Sequence, residues 1–197
     1  MADARLTSKE AETLALLVMD VQQGIVERFG DEDGGLLERL GSALEAARAA
    51  GVMVIYVRLA FRSGYPEISS ANRSFAALSE NGGFTDDDPA TQIHPAIAPR
   101  PGETVVVKKR VSAFSGSDLE LVLRAKHVTS LVLTGISTSG VVLSTLREAA
   151  DRDYRLLVLT DGCADRDPEV HRVLIEKVFP RQAEIASVAE WTARIAR

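Results

Sequence analysis

Residues 131–165 read LVLTGISTSGVVLSTLREAADRDYRLLVLTDGCAD, and the fold turns on this stretch. An apolar run over Ser130–Thr134 stops at Gly135, after which Val141, Val142, Thr145, Leu146 and Ala149 recur at the spacing of one helix face, through about Asp151. A second apolar run follows over Arg155–Thr160. Short apolar runs without polar alternation are what strands buried on both faces require. Strand, helix and strand in that order make a βαβ unit whose two strands lie parallel in one sheet.

The same alternation extends in both directions. Upstream, Leu14–Asp20 reads as a strand, Gly35–Ala50 as a helix with Leu36, Leu37, Leu40, Leu44 and Ala47 on one face, and Val52–Val57 as a second strand. Thr104–Lys108 is a third strand, and the helix after it is expected to start at a capping box formed by Ser117 and Glu120. Downstream, Asp167 and Pro168 open a helix to about Phe179, and Glu184–Val188 gives a sixth strand before a terminal helix. Residues 58–103, rich in Gly, Pro, Ser, Asn and Asp, are expected to hold only short helices and mobile loops. The pattern predicts a three-layer α/β/α, Rossmann-like fold with a six-stranded, mostly parallel sheet, as a single domain over residues 1–197.

Composition narrows the function classes. A net charge of −5, with no basic stripe carrying aromatics, argues against nucleic acid as a partner. Apolar runs such as Leu14–Met19 and Val52–Val57 are too short to span a bilayer, and MADARLTSKEAE has no signal-peptide pattern, so no membrane association and a cytoplasmic location are expected. The lone Cys163 excludes an internal disulfide and reads as a buried structural residue, and His94, His127 and His171 lack zinc-ligand spacing. Neither a metal nor a cofactor is expected.

Ligands of open parallel sheets bind outside the carboxyl ends of the strands. Asp20 closes the first strand, Lys108 closes the third, and GISTSG links the fourth to its helix. By spacing alone these residues read equally as a cap, a solvated strand end and a tight turn.

LLVMDVQ (16–22), VVVKKRVSAFSGSDLELVLRAK (105–126) and the 131–165 stretch together resemble the isochorismatase-like hydrolases, also called cysteine hydrolases. The resemblance implies a catalytic aspartate at Asp20 and a catalytic lysine at Lys108, acting on a small-molecule substrate. Lys109 is the poorer choice of the adjacent pair because period-two alternation sends its side chain to the opposite face. The position of the family nucleophile falls on Val141, or on Gly140 after a slip of one residue, and an isopropyl group cannot attack a carbonyl. Family members acting on isochorismate also lack the cysteine, and vinyl ether hydrolysis needs only a general acid. Ile136, Ser137 and Thr138 correspond to the family segment that carries a non-proline cis peptide and lines the oxyanion site. Gln22, Phe29, Phe114 and Gly140 are candidates to line the substrate pocket. No aspartate and histidine pair follows the second strand in VRLAFRSGYPE (57–67), so the metal site of the family's nicotinamidases is not expected. The resemblance also implies a homodimer or homotetramer, for which Trp191 and Ile195 offer one contact, unless they pack on their own sheet.

Two rival readings stand beside this one. The chain could be a catalytically silent relative that binds a metabolite or a protein partner. Alternatively, Gly135–Ser139 approximates a nucleophile elbow, and Ser137, Asp161 and His171 follow the chain order of a serine hydrolase triad.

Overall fold

Both faces of the first strand disappear into apolar surroundings, and this fixes the layers. In the computed structural model, which describes residues 11, 13–29 and 35–196, all six residues of β1 (Leu14–Met19) are buried. Leu14, Leu16 and Val18 belong to one core cluster, Ala15, Leu17 and Met19 to another. That period of two puts one core on each side of the sheet.

The other strands are β2 (Met53–Leu59), β3 (Thr104–Lys108), β4 (Ser130–Ile136), β5 (Arg155–Ala164) and β6 (Glu184–Ala186), in the order β3-β2-β1-β4-β5-β6. Every pairing among them is parallel. The helices are α1 (Gln23–Phe29), α2 (Gly35–Ala50), α3 (Ala76–Asn81), α4 (Leu119–Ala125), α5 (Leu143–Asp151), α6 (Pro168–Val173) and α7 (Val188–Ile195). Leu36, Leu40 and Leu44 of α2, with Val188, Trp191 and Ile195 of α7, cover one face of the sheet. Leu119 and Leu123 of α4, with Leu146 and Ala149 of α5, cover the other. Among the described residues no helix is long and apolar enough to cross a membrane.

Several local expectations are corrected. Trp191 and Ile195, each 3% exposed, pack on their own sheet and offer no contact to a second copy. Ser117 and Glu120 form no capping box: the helix caps at Asp118, the Ser117 hydroxyl donates to the Ala113 carbonyl at 2.6 Å and accepts from the Leu119 N–H at 3.2 Å, and Glu120 pairs with Arg124. The reciprocal capping box lies instead at Ser187 and Glu190, opening α7. A π turn over Thr138–Val142 precedes α5, and a second over Leu174–Val178 continues α6. Strand β5 runs to Ala164 with a bulge opposite Leu133–Gly135. The peptide MADARLTSKEAE falls almost wholly outside the described residues.

The excursion between β2 and β3 holds α3 and two short 3₁₀ turns, Pro89–Thr91 and Pro95–Ile97. It has a small core of its own in Leu59, Phe61, Phe75 and Phe84. It is tied to the strand ends by backbone bonds from Gln23 N–H to Gln92 O at 2.9 Å and from His94 N–H to Val21 O at 3.0 Å.

Candidate active site

The strand order reverses direction between β1 and β4, and a crevice at such a switch point is where ligands of open α/β sheets bind. The two strands approach closely there: Gly135 sits at φ 137°, and a Cβ on it would run into the Met19 carbonyl oxygen. Only glycine fits. Asp20 follows β1 in the left-handed region (φ 57°), which aspartate tolerates better than most residues, and its N–H donates to Val57 O at 2.8 Å.

Lys108 ends β3, two strands away, and its stem spans the end of β2. Its Nζ lies 2.9 Å from Asp20 Oδ2, with Lys108 1% and Asp20 6% exposed. The same ammonium donates to the carbonyls of Arg110 at 2.9 Å and Val111 at 3.1 Å. An ammonium has three N–H donors, so none is left for a substrate. Asp20 Oδ1 is buried and has no hydrogen-bond partner among the described residues. Burial pushes the Asp20 carboxyl above the usual aspartate range, and the Lys108 charge only partly opposes this. The alternation argument for Lys109 agrees with the geometry: its Nζ reaches the Ala60 carbonyl at 2.5 Å, away from Asp20.

The β4–α5 turn forms the next wall. The Ile136–Ser137 peptide is cis. Ser137 Oγ accepts from the Gly140 N–H at 3.1 Å, and a Cβ at Gly140 would lie 2.6 Å from that oxygen. Val141, 2% exposed, is packed in the core cluster that contains Met19, Ala113 and Cys163. Two further bonds hold the turn: Thr138 Oγ1 lies 2.8 Å from His171 Nδ1, and the Ser139 N–H donates to Asp165 Oδ2 at 2.7 Å. Sequence reasoning missed Asp165, although it directly follows β5, and singled out His171 only as a triad partner of Ser137, not of Thr138.

Some candidates serve other ends. Gln22 is fully buried, with its amide nitrogen donating to Leu59 O at 2.9 Å and Thr91 O at 2.7 Å while its oxygen accepts from Leu59 N–H at 2.8 Å. It braces main chain and does not line a pocket. Phe114 stacks on Tyr154 at 6.0 Å beneath the Arg152 guanidinium, and Ile136 is buried in the opposite core. Phe29 is half-buried, with Arg166 over its ring at 5.8 Å. The serine triad is not assembled, because His171 faces Thr138 and not Ser137. Asp161 is also engaged elsewhere, accepting from the Val188 N–H at 2.7 Å and facing Arg39.

Comparison with known proteins bears on the family and the fold. The model of the isochorismatase domain matches residues 14–190. The chain is 32% identical over 187 residues to the uncharacterized isochorismatase family protein YecD of Escherichia coli O157:H7, covering 91% of this chain and 95% of that one. It is also 32% identical over 185 residues to the ureidoacrylate amidohydrolase RutB of Stutzerimonas stutzeri, covering 83% and 74%. Among solved structures, a cysteine hydrolase from Pseudomonas syringae pv. phaseolicola superposes with a TM-score of 0.85 at 26% identity, covering 93% and 92%. N-carbamoylsarcosine amidase from Thermoplasma acidophilum does so at 0.73 and 25%, covering 89% and 96%.

Proposed function

The chain belongs to the isochorismatase family of hydrolases, and from that premise we propose that it hydrolyses a small metabolite without a covalent enzyme intermediate, with Asp20 as general acid and base. The supporting observation is Asp20 Oδ1, buried and without a partner among the described residues, on a carboxyl whose other oxygen is fixed by Lys108. A nucleophilic route has no starting atom at Val141. Vinyl ether hydrolysis needs none. Asp20 delivers its proton to the terminal alkene carbon, and the oxygen-bearing carbon becomes oxocarbenium-like. Water adds there and returns a proton to the Asp20 carboxylate, after which the hemiketal collapses to a carbonyl compound and an alcohol. Lys108 stabilises the carboxylate while the proton is away, and acts on substrate only through Asp20.

The test is turnover of a panel of small vinyl ethers, carboxamides and ureides, with Asp20→Asn as the control. Vinyl ether hydrolysis is expected, lowered at least about a hundredfold by Asp20→Asn. Amide hydrolysis that survives Asp20→Asn, or an acyl-enzyme adduct found by mass spectrometry, would overturn the reading. The buried valine at the nucleophile position also favours a second reading, a relative that binds without turnover. Equal silence of wild type and Asp20→Asn, with a panel compound still raising the melting temperature, would select it.

A further inference from the structure

Thr138 has no exposed surface, yet it carries a hydroxyl, and a buried hydroxyl needs a partner. The partner at 2.8 Å is His171 Nδ1, on α6 and 33 residues along the chain. One residue on, the Ser139 N–H donates to Asp165 Oδ2 at 2.7 Å. Asp165 follows β5, and Asp167 caps α6 by accepting from the Glu169 N–H at 2.9 Å. Segment 165–171 therefore holds two successive residues of the turn that carries Ser137, Gly140 and Val141, beside the end of β1.

We infer that His171 is a positioning residue: through Thr138 it fixes the Ser137–Val141 turn that follows β4, the strand paired with β1 next to Asp20, and Asp165 supplies the second point of attachment. The inference rests on the proposed site at Asp20 and adds to it the residues that set one wall. His171 touches no reacting atom. Burial lowers the imidazole's affinity for a proton, which favours the neutral ring. A neutral ring protonated on Nε2 offers Nδ1 as the acceptor of the Thr138 hydroxyl. A turn of this kind displaced by about 1 Å costs on the order of a hundredfold in rate, because the substrate is held away from the attacking geometry.

The experiment compares His171→Asn, His171→Phe, Thr138→Val and the double variant His171→Phe/Thr138→Val. Asparagine places an amide atom where Nδ1 stood, whereas phenylalanine keeps the ring and removes the acceptor. On the vinyl ether turned over fastest by wild type, His171→Phe is expected to lower kcat about tenfold or more with KM little changed. His171→Asn should restore most of the loss, and the double variant should be no worse than His171→Phe. Amide hydrogen exchange gives a readout that needs no substrate: in His171→Phe the Ser139 amide should exchange about tenfold faster or more, with Leu17 and Val132 unchanged. If no panel compound is turned over, the exchange result alone decides. His171→Asn as impaired as His171→Phe, effects of His171→Phe and Thr138→Val that multiply, or unchanged Ser139 exchange would each overturn the inference.

Discussion

Replacing Lys108 with methionine keeps the length of a buried stem and deletes one charge. The wild-type ammonium holds three oxygens, Asp20 Oδ2 at 2.9 Å and the carbonyls of Arg110 at 2.9 Å and Val111 at 3.1 Å. In Lys108→Met a 6%-exposed carboxyl loses the ammonium at Oδ2, its one ion-pair partner among the described residues, and the two carbonyls lose their donor. Removing one member of such a pair costs about 3 to 5 kcal/mol. At about 2 to 4 °C per kcal/mol for a chain of this size, that is a fall of about 6 to 20 °C in Tm. The loss depends on pH. Asp20 holds its proton more tightly folded than unfolded, so its stabilising contribution is complete below the ordinary value of 3.8 and is lost as pH rises through the raised folded value. Without the ammonium the folded value rises further and the loss continues to higher pH, so the gap from wild type should be larger at pH 8 than at pH 5. Urea unfolding followed by the single tryptophan, Trp191, buried at 3% exposure, reads the gap directly. Asp20→Asn combined with Lys108→Met removes the stranded carboxyl and should recover part of the stability. A variant within about 1 kcal/mol of wild type at pH 8, or one whose deficit ignores pH, would refute the claim that Lys108 neutralises a buried carboxylate.

Gly135→Ala should cost about 3 kcal/mol or more, since a methyl there meets the Met19 carbonyl at a φ suited to glycine; a loss below about 1 kcal/mol in urea unfolding would contradict the close approach of β1 and β4. Cys163 is buried and its thiol is pushed up to about 12, so the native protein should resist a thiol-specific disulfide reagent at pH 8 and react on unfolding. Val141→Cys should keep the fold within about 1.5 kcal/mol, because the two side chains are close in volume and the site is buried; a larger loss in urea unfolding would contradict the packing at that position. Ser187→Ala breaks both halves of the capping box on α7 and should lower stability by about 1 kcal/mol; an unchanged urea midpoint would argue against it.

The strands were legible because a parallel sheet covered on both faces leaves no polar alternation, and runs such as Leu14–Met19 and Ser130–Thr134 carry that mark. Asp20 and Lys108 were legible for a related reason, each being the polar residue that ends such a run. The π turns were not legible, since an i→i+5 step leaves no hydrophobic period to count. Ser117 misled because a hydroxyl near a helix start has several partners in reach, and here it donates to carbonyls behind it and accepts from the Leu119 N–H, leaving the Glu120 N–H aside. The role of Gln22 was hidden by distance along the chain, its partners Leu59 and Thr91 lying 37 and 69 residues away. His171 drew notice for its chemistry, but its partner depended on a turn conformation that spacing does not encode.

The glutamine bracket at Gln22 has a practical consequence for remodelling the protein. It joins β1, the end of β2 and the 91–94 segment into a seam of main-chain bonds, and the excursion leaves and returns through that seam. Chimeras that exchange residues 62–88 for the matching stretch of a relative leave the seam intact and should preserve the scaffold. Splice points placed at 59 or 91 would cut it.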